Sequence, residues 1–108
     1  MKKATLITIA ALAVMMVSAS AADVKEIWAK DCAKCHGPDG KGKTKMGEKL
    51  DIKDFTDAKY QASLKDEEMF KAIKEGIRKD DRLRMKAAEG LSDEEMKALV
   101  TYVRAFKK

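Results

Sequence analysis

Cys32, Cys35 and His36 are the residues with the clearest capacity for chemistry. They lie in the string Cys32-Ala33-Lys34-Cys35-His36 and include both cysteines and the one histidine of the 108-residue chain. Two residues between the thiols, with an imidazole directly after the second, is the pattern for covalent attachment of a c-type haem. Thiols three positions apart on a helical turn face one side, so both can add to the two vinyl groups of one porphyrin. The adjacent imidazole then swings under the ring and reaches the iron as the proximal ligand. Competing uses lack what they need. A thioredoxin-like pair wants a strand before the motif and a βαβ pattern around it, and neither is visible. A structural zinc site needs four ligands, and beyond carboxylates the chain offers two Cys and one His. A disulfide across two residues is strained and closes no useful loop.

The surrounding sequence strengthens that reading. Lys2 and Lys3 precede a run from Ala4 to Val17 without a charge, and Ser18-Ala19-Ser20-Ala21-Ala22 supplies small residues for cleavage. This is a secretory signal over residues 1–22, and its apolar run of 14 residues is shorter than the roughly 20 a membrane span needs. The expected mature chain, 23–108, is one domain exported to the periplasm. Its charge falls from +5 to about +3 on losing Lys2 and Lys3, a balance that argues, with export, against a nucleic-acid binder. A domain of about 86 residues is marginal on its own core and wants a staple. Covalent haem is that staple.

The elements that must position the motif read as helices. Val24, Ile27, Trp28, Cys32 and Cys35 fall on one face of a first helix, which Gly37-Pro38-Asp39-Gly40-Lys41-Gly42 ends. Residues 43–60 are polar and irregular, with Leu50, Ile52, Phe55 and Tyr60 as apolar anchors around the cofactor. Leu64-Lys65-Asp66-Glu67-Glu68-Met69 and Leu91-Ser92-Asp93-Glu94-Glu95-Met96 both read as helix starts, with acidic first turns that complement the helix dipole. Ser92 and Glu95 have capping-box spacing, and Lys65 replaces that Ser in the first copy. The earlier helix is expected to stop at Gly76. The last carries Met96, Leu99, Val100, Val103 and Phe106 on one stripe, with Tyr102 at its edge. No strand is expected.

With these residues in place, the mature chain resembles the small soluble bacterial class I (monohaem) cytochromes c. The resemblance rests on Cys32 to Gly40 near the mature N-terminus and on Leu91 to Val103 at the C-terminus. It implies an all-α single domain of three to five helices around one covalent haem c, with the N- and C-terminal helices crossing and Trp28 and Tyr102 at the crossing. The family commonly has a small residue, often Gly, eight positions before the first Cys, and this chain has Val24 there.

His36 is the one imidazole, so the sixth iron ligand comes from elsewhere. Of the four methionines beyond the signal, Met69 and Met96 sit in the first turns of helices, where Met usually fills core gaps. Met46 lies ten residues after His36 in a Gly- and Lys-rich loop. Met85, between Gly76 and Ser92, can cross the distal face without distorting a helix, and the family's distal Met occupies this loop, though there it is often followed by Pro where Lys86 stands here. The expected axial pair is His36 and Met85, with Met46, a Lys or no protein ligand as alternatives. A thioether and an apolar pocket both favour ferrous iron and raise the potential. Two filled axial positions leave no place for dioxygen or peroxide, which suits an electron carrier and not an enzyme. A distal acid/base for a peroxidase is also missing.

Arg78, Lys79, Arg82, Arg84 and Lys86 against Asp80 and Asp81 give the Met85 segment a local +3, and Lys41, Lys43 and Lys45 add a second basic run. If both flank the haem edge, they steer a monomeric carrier toward acidic surfaces of redox partners. The alternatives are a fixed haem subunit of a larger dehydrogenase or oxidase complex, and a five-coordinate haem sensor or peroxidase.

Overall fold

The structure is a computed structural model that describes residues 21–108. The expected signal peptide, 1–22, lies outside the described residues apart from the backbone of its last two. Along the chain run α1 (Ala21–Ile27), a π-helical turn (Trp28–Cys32), α2 (Ala33–His36), α3 (Lys45–Lys49), α4 (Ala58–Ser63) and α5 (Asp66–Glu75). A hairpin follows, β1 (Ile77–Lys79) and β2 (Arg82–Met85), and then α6 (Asp93–Arg104). The fold is essentially all-α, as expected from the sequence. No described helix is long and apolar enough to cross a membrane.

α1, the π turn and α2 form one continuous rod that delivers the Cys-x-x-Cys-His motif. The π turn is closed by the Ala33 N–H reaching back five residues to the Trp28 carbonyl. That extra residue re-phases Cys32, Cys35 and His36 relative to the stripe of Val24 and Trp28, a kind of bulge frequent at functional sites. Gly37, at φ +82, ends the rod.

The core joins the two ends of the chain. Val24 and Trp28 of the rod, Ile73 of α5, and Met96, Leu99, Val100 and Val103 of α6 are buried together. Each fully buried side chain of this type contributes about 1.5–3 kcal/mol. Val24 is buried rather than merely tolerated, so a branched side chain stands at the packing of α1 on α6. α6 starts with the expected capping box: Glu95 N–H donates to Ser92 Oγ, and Ser92 N–H donates to Glu95 Oε1. α5 follows Lys65, which makes no side-chain cap, and ends at Gly76 at φ +77.

Three features depart from the sequence-based expectation. Segment 43–60 contains α3 and the start of α4, capped by Thr44 and Asp57, whose side chains accept backbone N–H bonds. Gln61 of α4 is fully buried and polar. The stretch around Met85 is a two-stranded antiparallel hairpin. Its turn places Asp80 and Asp81 at φ +54 and +60, as a type I′ turn requires at both central residues. Asp-Asp is a weak turn signature beside Asn-Gly, so the strands escape a reading from pattern.

Candidate haem-binding site

The motif is held by the loop that follows it. Trp28 Nε1–H donates to the Gly37 carbonyl at 2.9 Å, which satisfies the buried indole and ties the rod to the residue after His36. Gly42 N–H donates to His36 O at 2.7 Å. Thr44 Oγ1–H donates to Cys35 O at 2.7 Å and accepts from Gly47 N–H at 2.8 Å. Gly47 lies so close that a Cβ there would stand 2.6 Å from the Cys35 carbonyl oxygen and closer still to that of Gly42. Any side chain at 47 would push this loop off the motif.

His36 sits in an aromatic setting. Its ring stacks on Phe55 with centroids 5.0 Å apart and lies 5.6 Å from Trp28. Phe55 in turn stacks on Tyr60 at 6.0 Å. Trp28 also contacts Tyr102 and Phe106 of the C-terminal segment at 5.5 and 5.0 Å. Gly40, at φ +72, lets the loop lie against Phe106: a Cβ there would be 2.7 Å from its ring. Burial lowers the His36 pKa, which keeps the imidazole neutral with a lone pair to offer. Among the described residues, His36 Nδ1 is the one buried side-chain nitrogen or oxygen without a hydrogen-bond partner.

Cys32 and Cys35 are both free and half-buried. Burial first, then the charges of Asp31 and Cys35, push the Cys32 thiol up to about 11, so it stays protonated at neutral pH. A protonated thiol beside a free thiol and a neutral, unpartnered imidazole is a donor set that fits a c-type haem: two sulfurs for thioethers and one nitrogen for iron. No group of three or more His, Cys, Asp or Glu that could hold a bare metal ion occurs among the described residues.

The methionines separate by place. Met96 is buried in the core and Met69 packs against it, as gap-fillers do. Met46 is half-buried on α3. Met85, the last residue of β2, is half-buried and packs against the same cluster as Cys32. Met69, Met85 and Cys32 thus pack on the same core, which includes Trp28, the neighbour of His36.

The sequence reading missed the polar scaffold. Gln61 Nε2 donates to the Phe55 and Val103 carbonyls, both at 2.8 Å. The Arg104 guanidinium clamps the same corner: it donates to Gln61 O and Oε1, Leu64 O and Asp66 Oδ1. Apart from the Gln61–Phe55 bond, these partners lie 38 to 43 residues apart in sequence, so no local signal announces them.

Residues 21–107 match the family described as Cytochrome c. A solved structure described as "KustC0563 c-type cytochrome" is 40% identical, with a TM-score of 0.66, covering 78% of this chain and 96% of that one. A mutant of that protein gives 39% identity and a TM-score of 0.65, covering 79% and 99%. No curated protein matches the chain. With the Cys32/Cys35/His36 donor set and this match over nearly all the described residues, the chain belongs to the cytochrome c family, as an electron-transfer protein with covalently bound haem c and not an enzyme.

Proposed function

We propose that this protein is a periplasmic one-electron carrier, exported by residues 1–22 and working as a monomer that docks transiently to redox partners. In this reading Cys32 and Cys35 would hold one haem by thioethers, and His36 and Met85 would ligate its iron. When bound, the group supplies a one-electron Fe(II)/Fe(III) couple. The chain's own residues do the rest. Trp28, Phe55 and the 37–47 loop fix the His36 ring and exclude water from it, and the half-buried Met85 would supply the thioether.

The observation that carries the proposal is the donor set, with two free thiols and a buried, neutral, unpartnered imidazole on one loop-braced rod. The docking face is supported by the hairpin. Arg78, Lys79, Arg82, Arg84 and Lys86 are all exposed, and none forms an ion pair among the described residues. The two exposed large apolar side chains among the described residues, Ile77 and Leu83, also lie there. Two such residues within a cationic surface suit a brief encounter with an acidic partner rather than a permanent apolar interface.

The test is the visible spectrum of the haem-loaded protein, oxidised and reduced, including the weak far-red sulfur-to-iron band. The band is expected in the wild type and lost in Met85→Ala. A high-spin wild-type spectrum that shifts on adding carbon monoxide would overturn the carrier reading.

A further inference from the structure

Met85 does not sit on a free loop. Its strand is held from below by α5: Ala88 N–H donates to Ile73 O at 2.8 Å, and a Cβ at Gly76 would stand 2.5 Å from the Met85 carbonyl oxygen and 2.9 Å from Ala87 N. Only a glycine lets the end of α5 approach β2 this closely.

From above it is held by the hairpin, whose register is irregular. Lys79 pairs with Arg82, Arg78 with Leu83, and Ile77 with Met85, so Arg84 is an extra residue bulged out of the ladder. In a regular strand Leu83 and Met85, two apart, would share a face. Because Arg78 and Ile77 are adjacent and face opposite ways, the bulge turns their partners apart as well. Leu83 is left 51% exposed, whereas Met85 packs against the core. Re-aiming one side chain is what bulges beside functional sites do. The far end of the hairpin is closed by Asp80 and Asp81, both in the left-handed region. Asp tolerates that region better than Ala and less well than Asn or Gly.

We propose that the β1–β2 hairpin is a clip for the distal ligand, with Asp80, Asp81 and the bulged Arg84 as positioning residues that set how firmly Met85 holds the iron against a competing ligand. The proposal rests on the Met85 reading above. The Met85 backbone is paired to Ile77 and pressed on Gly76, so a closed hairpin keeps the thioether within reach of the iron even when the side chain rotates off it. Opening the clip carries the thioether away, so the two equilibria are coupled and the turn that stabilises the hairpin also stabilises ligation.

The experiment is imidazole titration of the ferric holoprotein, with the far-red band followed in parallel. Two double variants are compared with the wild type: Asp80→Ala with Asp81→Ala, and Asp80→Asn with Asp81→Gly. Both remove the same two carboxylates, so a purely electrostatic effect moves them in one direction. A clip moves them in opposite directions: the Ala pair binds imidazole about fivefold more tightly than the wild type, and the Asn-Gly pair about fivefold more weakly. Shifts in the same direction, or both within about twofold of the wild type, overturn the clip while loss of the band in Met85→Ala leaves the ligand assignment standing. A wild type without the band, binding imidazole as Met85→Ala does, overturns both. If the Ala pair does not fold, the Asn-Gly pair is titrated at low and high salt: a clip weakens imidazole binding at both, whereas weakening that disappears at high salt, or no weakening, overturns it.

Discussion

Gln61 is 1% exposed and joins three parts of the molecule. Its Nε2 donates to the carbonyl of Phe55, the residue stacked on His36, and to that of Val103 in α6, and its Oε1 accepts from Arg104. Gln61→Met keeps the length of the side chain and removes all three bonds. The consequences are unequal. Val103 O still accepts from Phe106 N–H at 3.1 Å, and Arg104 keeps Gln61 O, Leu64 O and Asp66. Phe55 O loses its donor. Two donated bonds at about 1 kcal/mol each, plus about 1 kcal/mol for a stranded carbonyl, give a loss of about 3 kcal/mol. The buried thioether returns about 1 kcal/mol, leaving about 2 kcal/mol. For a domain of this size that is a fall in Tm of about 8–16 °C. Thermal unfolding of the holoprotein followed by far-UV circular dichroism measures it. Gln61→Glu, which can accept but not donate while charged, is expected to cost more than Met at neutral pH, with the gap narrowing as the pH falls. A Tm loss under about 3 °C for Gln61→Met would refute the reasoning, because it would mean that water replaces these bonds.

Two further outcomes are expected. Arg78→Gln, Arg82→Gln and Lys86→Gln combined slow electron transfer to an acidic partner about tenfold at low ionic strength, and the difference closes as salt is added. Stopped-flow measurement across ionic strengths checks this, and unchanged low-salt rates would remove the docking face. Asp54 accepts from Thr56 N–H and Oγ1–H at 2.8 and 2.7 Å, which holds its carboxyl below the usual range. Its folded-state pKa is lowered, so its contribution is complete above the ordinary carboxylate pKa of about 3.9 and is lost as the pH falls through the lowered value. The stability gap between wild type and Asp54→Asn is therefore expected at pH 7 and should vanish in strong acid, as denaturant unfolding across pH would show.

Where the physics is local, the sequence was sufficient. The Cys32-x-x-Cys35-His36 motif carries its own geometry, because ligands within five residues of one helix need no tertiary partner to meet. The Ser92/Glu95 capping box, the acidic first turn of α5 and its end at Gly76 are equally local, each settled within one helical turn. The stripe of Met96, Leu99, Val100 and Val103 follows from helical period, and all four are buried. Val24 is buried at 4%, which only its packing partners could decide.

Other features depend on residues far apart in the chain. The π turn under Cys32 is an extra residue that apolar spacing does not register. The hairpin at Met85 is an exchange of bonds between strands with a weak Asp-Asp turn, and its bulge at Arg84 reverses which side chain faces the core. Gln61 reads as a surface residue in a polar segment until Phe55, Val103 and Arg104 converge on it. The sequence by itself determined the Cys32-x-x-Cys35-His36 motif and the helical frame, because motif spacing and helical period are short-range. Only the tertiary structure decided what braces the His36 ring and aims Met85, because those depend on hydrogen bonds and close approaches between segments that meet only when the chain folds.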